Sequence, residues 1–287
     1  MKEVMYRIFR AVLVAVPVLT AVAVAIPVLV CDQFRIGGRS MDPVLIAGDH
    51  IFVNKLLFGA RIYTDYDFSK PDVRSFRMPG LRRIRPGDII VFNSTDARGD
   101  DTVSFRINYV YAKRCIGTPG DTVWIEDGYY RNSSVSGIVG TPVHQKELSG
   151  TPDSVLRERG VVLDAGKFAG WPGWTLKEFG PLYLPRKGDV ITLDSRTAML
   201  YGKLIQYETG YWPEAGNGKV TLGGRPVKEY TFRSGYYFMG GDNVADSKDS
   251  RYIGPVPEEY IVGIATHIIF SEDYDGSLRK DRLWKRI

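Results

Sequence analysis

The sequence predicts a mostly β protein, tethered by one N-terminal transmembrane helix, with a subdomain inserted into its β-rich core. Three observations carry this. Residues 11–31, "AVLVAVPVLTAVAVAIPVLVC", contain no charge. Beyond them come short runs rich in Val, Ile, Tyr and Phe, bounded by Gly, Pro or Asp. Apolar residues at helical spacing are scarce in that remainder.

The uncharged run is 21 residues long. At 1.5 Å per residue it spans roughly 30 Å, the thickness of a bilayer core. Pro17 and Pro27 would break a soluble helix, but a membrane helix tolerates them where freed backbone groups find partners. In the flank 1–10, Lys2, Arg7 and Arg10 stand against Glu3. The positive-inside rule then puts the N-terminus in the cytoplasm and the chain after residue 31 on the exterior side. Asp32, Arg35 and Arg39 form a mixed flank there. A cleaved signal peptide needs a shorter apolar core and small residues before the cut, whereas this run ends Val28-Leu29-Val30. "VLVC" invites a lipidated Cys31, but the bulky Val30 before it opposes that reading.

Residues 32–128 form the first part of the predicted core. Strands are expected at 50–58, 88–93, 107–117 and 121–128, and later at 189–194, 236–243 and 260–270. They would close on themselves or pack as sandwiched sheets. Residues 129–230 are richer in Gly, Pro and polar residues and read as an inserted accessory subdomain. Within it "KEFGPLYLP" (177–185) and "GYWPEAGNGK" (210–219) look like exposed, aromatic-bearing loops. The core resumes over 231–270. Residues 271–287 are a basic-apolar tail in which Leu278, Leu283, Trp284 and Ile287 alternate with five basic residues. That tail is expected against the core near the membrane surface; a solvated charged tail is the competing reading.

A net charge of +5, with Lys and Arg spread along the chain, lacks the basic block of a nucleic-acid binder. A basic rim against a lipid bilayer suits it better. Cys31 and Cys115 make neither a disulfide framework nor a CxxC pair, and His50, His144 and His267 are scattered. No metal and no cofactor are expected.

HExxH, P-loop, dinucleotide and GxSxG patterns are absent. A serine nucleophile can use lysine in place of histidine. Lysine is a base only when neutral. Bringing its pKa from about 10.4 to about 7–8 takes about 4 kcal/mol, usually by desolvation. Such a lysine belongs on an apolar, aromatic strand. In "YVYAKRCIG" (109–117) alternation puts Tyr109, Tyr111, Lys113 and Cys115 on one face and Val110, Ala112, Arg114 and Ile116 on the other. A lysine on a half-exposed strand is the commoner meaning of that pattern alone.

Three segments together resemble the type I signal peptidases, membrane-anchored serine-lysine leader peptidases. They are "SMDPVLIAGDHIFVNK" (40–55), "AKRCIGTPGDTV" (112–123) and "GGDNVADSKDSRYIGPV" (240–256), with "RPGDIIVF" (85–92) in support. The resemblance covers the anchor and core but little of 126–230. It implies Ser40 as nucleophile, Lys113 as general base and Ser247 as the hydroxyl orienting that base. It also implies Asp249 and Arg251 as a structural ion pair beside the site. Met41 and Pro43 would lie where substrate and bilayer meet. Many Gram-negative members carry an oxyanion-stabilising hydroxyl two residues before the nucleophile; that position is Gly38 here, leaving the Ser40 N–H as the evident donor. Val44 replaces a common threonine. The implied activity is cleavage of signal peptides from exported preproteins after small residues. The implied place is the cytoplasmic (inner) membrane, single-pass, with the catalytic domain on the exterior or periplasmic side. A specialised maturation peptidase and an inactive membrane-tethered scaffold are the alternatives.

The orientation is testable. Protease added to intact spheroplasts should digest the chain beyond residue 32; protection that lasts until lysis would reverse the assignment.

Overall fold

A computed structural model describes residues 2–65, 67, 74–96, 102–107, 109–166, 173–216 and 218–287. Residue 108 of the expected strand 107–117, and residues 167–172 and 217 of the expected insertion, lie outside the described residues.

Helix α1 (Lys2–Ala25) runs into one π-helical turn, Ile26–Val30. The stretch Glu3–Val30 is long and apolar enough to cross a membrane, and none of its most apolar window is buried in the protein. Twelve of its large apolar side chains, such as Val14 and Leu19, are more than half exposed, which water would not sustain. The helix includes residues of the basic flank, and Cys31 is the first residue of a strand rather than the last of the helix.

Strands β1 (Cys31–Arg35), β2 (Asp49–Asn54), β3 (Arg61–Tyr63), β4 (Ser75–Arg77), β5 (Ile89–Asn93) and β6 (Val110–Gly117) follow. Next come β7 (Thr122–Glu126), β8 (Tyr129–Asn132), α2 (Pro142–Gly150), α3 (Asp153–Glu158), β9 (Phe179–Tyr183), β10 (Val190–Thr192) and α4 (Ser195–Thr209). A meander of β11 (Pro213–Gly216), β12 (Lys219–Leu222) and β13 (Arg225–Val227) leads to β14 (Glu229–Thr231). The chain ends with β15 (Tyr236–Gly240), α5 (Ser250–Ile253), β16 (Val256–Pro257), β17 (Ile261–Ser271) and β18 (Lys285–Arg286).

One antiparallel sheet organises the molecule, in the order β1-β2-β17-β5-β6-β15-β16, with β18 beside β17. Its central strands are buried on both faces. In β5, Ile89 and Val91 join Ile51, Val53 and Met41 on one side; Ile90 and Phe92 join Cys115, Met239 and Ile264 on the other. The period-2 alternation expected for β6 is present: Val110 and Ala112 face the first cluster, Tyr111 and Cys115 the second. Among the described residues, the strands between β6 and β15 pair only outside this sheet, in three small sheets. Their core of Leu148, Leu182, Leu184, Tyr201 and Ile205 meets the central sheet through Ile116 and Phe238.

Two stretches correct the sequence reading. Residues 177–185 are not an exposed loop: Phe179–Tyr183 is β9, with Phe179, Leu182 and Leu184 buried. The Gly180-Pro181 pair hides the strand because turn residues ordinarily interrupt one. Helix α4 was not expected either. Its signals are local and legible: Asp194 and Thr197 form a reciprocal capping box, Gly210 caps the C-terminus at φ 81°, and Ala198, Tyr201, Leu204 and Ile205 share its buried face.

The basic tail does more than carry charge. Arg282 Nε and Nη2 hold the buried Asp49 carboxylate at 2.7 and 2.6 Å, and Nη2 also donates to the Val44 carbonyl at 2.8 Å. Arg279 Nη1 donates to the Ala47 carbonyl at 2.9 Å. Ile287 packs into the core, while Leu278, Leu283 and Trp284 remain exposed. The tail thus fastens the connection between β1 and β2. Gly48 lies within it at φ 93°, where an added Cβ would stand 1.9 Å from the Glu272 carbonyl oxygen.

Arg282→Met should destabilise the fold by about 3–5 kcal/mol, because it strands the Asp49 carboxylate in the interior. Asp49→Asn combined with Arg282→Met should recover part of that loss in thermal melts; strictly additive losses would mean that the two residues act independently.

Candidate active site

The β1–β2 connection carries Ser40. Backbone pairing continues past β1 through Ile36 N–H to the Asp49 carbonyl at 2.8 Å and Gly48 N–H to the Ile36 carbonyl at 2.9 Å. The chain then turns tightly, with Asp42 N–H donating to the Arg39 carbonyl and Leu45 N–H to the Met41 carbonyl. Met41 and Leu45 anchor this turn in the core at 2% and 0% exposure, so the serine before them is held from beneath.

Lys113 projects from β6 and is 3% exposed. Its Nζ donates to Ser40 Oγ. The Tyr111 ring lies 5.5 Å from the ammonium. Burial lowers the Lys113 pKa from its ordinary value to about 8; the Asp249 carboxylate, with Asp246 and Asp242, pushes it up and the Arg251 guanidinium down, and burial prevails. The displacement corresponds to about 3 kcal/mol against the charged form. Arg114, next in the strand, is turned to other work: its Nε and Nη2 each hold Asp242 at 2.6 Å.

Behind the pair lies a fully buried ion pair. Arg251 Nε and Nη2 meet Asp249 at 2.8 and 2.7 Å. Asp249 also accepts from Gly241 N–H at 2.9 Å and from Ser247 Oγ at 2.7 Å. Burial alone would raise the Asp249 pKa, but Arg251 and these hydrogen bonds prevail and hold the carboxyl below its usual range. Ser247 Oγ therefore spends its proton on Asp249, and among the described residues the side-chain partner of Lys113 is Ser40.

The other sequence-nominated positions sort clearly. Ser40, Met41, Gly38 and Lys113 line one cleft of about 400 Å³, with Tyr111, Asp246 and Lys248. A Cβ on Gly38 would meet nothing within 4 Å, so that position faces open space. Pro43 is exposed on the turn and does not line the cleft.

Three contributors escaped the sequence reading. Asn243 N–H donates to the Ser40 carbonyl at 3.1 Å, and its Nδ2 donates to the Arg39 carbonyl at 3.2 Å. A Cβ on Gly241 would lie 2.2 Å from Ser247 Oγ and 2.5 Å from the Ser40 carbonyl oxygen, so glycine is what lets the two loops touch. Arg282 braces the same serine loop from the tail. Asn243 and Gly241 sit inside a segment already conspicuous in sequence; nothing local marks Arg282. The assembled arrangement is a hydroxyl facing a desolvated amine beside an open cleft, which suits nucleophilic attack with proton transfer to the amine.

The family model described as signal peptidase, peptidase S26, matches residues 7–168 and 183–270. Signal peptidase I of Pseudomonas aeruginosa is 28% identical over 82% of this chain and 63% of its own length. The enzyme of the same name from Haemophilus influenzae is 27% identical over 86% of this chain and 65% of its own length. The chain thus spans just under two thirds of the length of these two relatives. A solved signal peptidase I from Enterococcus faecalis aligns over 64% of this chain and 98% of its own, with 20% identity and a TM-score of 0.28.

If Lys113 acts as the base, single-turnover cleavage should rise about tenfold per pH unit below its pKa of about 8 and level off above it. The sign for stability is the same: between about 8 and the unfolded value the unfolded chain holds the extra proton, so this group's contribution to stability rises with pH. Lys113→Met should accordingly raise the melting temperature at neutral pH while abolishing cleavage. A flat pH profile would remove Lys113 as the base.

Proposed function

The chain belongs to the signal peptidases of family S26, and we propose that it cleaves signal peptides from preproteins at a membrane surface with Ser40 and Lys113. The observation that carries the reading is the Lys113–Ser40 hydrogen bond, made by an amine that is buried from water. Neutral Lys113 takes the proton from Ser40 Oγ as the oxygen attacks the scissile carbonyl. The tetrahedral oxyanion forms beside the Ser40 backbone N–H, and Lys113 then returns the proton to the leaving amine. Water deacylates the serine ester by the same exchange. Ser247 acts at one remove: it ties down Asp249, whose ion pair with Arg251 sets the field around the lysine.

The substrate is an extended segment, added as a strand beside the cleft and selected for small side chains. It arrives membrane-bound, and the apolar helix keeps the enzyme on the same surface. The basic N-terminal flank orients that helix with its N-terminus in the cytoplasm of the cell and the cleft outside the inner membrane.

Ser40→Ala and Lys113→Arg should each abolish single-turnover cleavage of a preprotein, and the double variant should lose little more than either. Arginine keeps the charge but does not deprotonate in this pH range. Substantial turnover by a folded Lys113→Arg variant would sink the mechanism. Mass analysis of the products gives the cut site in the same experiment.

A further inference from the structure

A second cleft lies away from Ser40, beneath the β3–β4 hairpin. In that hairpin Arg61 stands directly opposite Arg77. Like charges facing each other across a strand pair are unfavourable unless something answers them. Both side chains border a cavity of about 240 Å³, whose rim adds Lys187 and Arg233.

The two arginines lie over aromatic rings, Arg61 over Tyr63 and Phe105 at 4.8 and 5.0 Å and Arg77 over Phe58 at 4.4 Å, and their hydrogen-bond partners are neutral. Arg77 donates to the carbonyls of Gly59, Glu258 and Ile261, which carry no net charge. Its pKa is pushed down to about 10, chiefly by burial and further by Arg61, while Glu258 and Glu259 work in the opposite direction. Arg61 Nε donates to Ser75 Oγ at 2.7 Å, but its Nη1 is buried without a hydrogen-bond partner. Glu258 and Glu259 also line the cavity. Glu259 already accepts from Ser234 Oγ at 2.7 Å, and Glu258 from the Tyr237 hydroxyl at 3.4 Å. Four cationic side chains thus border a space with two carboxylates.

Strand β3 packs beside the π-helical turn that ends the apolar helix. Lys55 Nζ, on the same side, donates to the Asp32 carboxylate at 3.2 Å and to the Pro27 carbonyl of that turn. Phe76, at the cavity mouth, is 55% exposed, and Leu56, Met78 and Leu81 nearby are also exposed. Apolar side chains beside a basic cleft, next to the end of a membrane helix, match a lipid whose phosphate and acyl chains separate over a few ångströms.

We propose that this cleft binds the phosphate of an anionic phospholipid headgroup, with Arg61 Nη1 as its buried donor and Lys187 and Arg233 as its outer cations. The site is distinct from the serine–lysine cleft and stands or falls independently of it.

The test uses the full chain in maltoside micelles, titrated with dihexanoyl-phosphatidylglycerol, dihexanoyl-phosphatidylcholine and inorganic phosphate. Phosphatidylglycerol should bind at least about tenfold tighter than either comparison ligand. Arg61→Gln, Lys187→Glu and Arg233→Glu should each weaken it by about fivefold or more, at unchanged melting temperature. Lys187 and Arg233 are exposed, so their variants carry the test should Arg61→Gln fail to fold. Equal affinity for the two lipids, inorganic phosphate binding as tightly as phosphatidylglycerol, or wild-type affinity in the rim variants would each overturn the proposal.

Discussion

The arrangement depends on keeping one amine dry. An exposed lysine is protonated at neutral pH and cannot accept a proton from a serine. Lys113 is brought toward neutrality by desolvation, which outweighs the nearby carboxylates of Asp249, Asp246 and Asp242. The buried Asp249–Arg251 pair helps, because Arg251 opposes the largest of those carboxylate effects, that of Asp249. A lone Asp249 would favour the ammonium, and a lone Arg251 would penalise it; together they leave desolvation in control. The pair also serves mechanically, since Asp249 gathers Gly241, Ser247 and Arg251 around a single carboxylate.

Dryness alone does not bring a hydroxyl to the lysine, and the sheet order does. Strand β2 and strand β6 are separated by β17 and β5. At about 4.8 Å per step, a flat sheet would hold them roughly 14 Å apart. The loop between β1 and β2 nonetheless touches Lys113, so the sheet must curl and the loop must lean across it. The bulged registers of β17 against β2 and β5 supply local twist where that curl is needed. The loop is then fixed from both sides: Asn243 holds the Arg39 and Ser40 carbonyls, and Arg282 holds Asp49 and the Val44 carbonyl.

What could be seen in sequence follows from the range of each interaction. The apolar helix, strands β2, β5, β6, β15 and β17 of the central sheet and the alternation around Lys113 are local patterns and were legible; β1, β16 and β18 were not, β1 because Cys31 closes the uncharged run and the other two because each is only two residues long. Ser40 and Lys113 became legible together only through their surrounding motifs, because an isolated serine and a strand lysine carry little information. Residues 177–185 were misread since Gly180 and Pro181 are the ordinary marks of a turn, and only tertiary packing of Phe179 and Leu182 overrides them. Helix α4 was missed although Asp194, Thr197 and Gly210 announce it; the scarcity of helical periodicity elsewhere obscured a local exception. Arg282 was invisible for another reason. Its partner is 233 residues away, and no pattern within the tail distinguishes a buried arginine from four neighbouring basic residues.

The loop that carries Ser40, the proposed nucleophile, is likewise tied over a long range to the end of the chain. A turn carrying a nucleophile beside an open cleft cannot be packed on all sides, because one side must admit substrate. Its stiffness has to come from beneath and behind. Met41 and Leu45 supply apolar contact from beneath. From behind, hydrogen bonds to the carbonyls of Arg39, Ser40, Val44 and Ala47 are needed, and donors rather than acceptors must provide them. Arginine suits this role: its planar fork serves a carboxylate and a carbonyl at once and stays charged while buried. Asp49, at the foot of the loop, gives that fork a fixed target. The loop is therefore rigid where it is buried and open at Ser40, which is the division that the proposed attack by Ser40 requires.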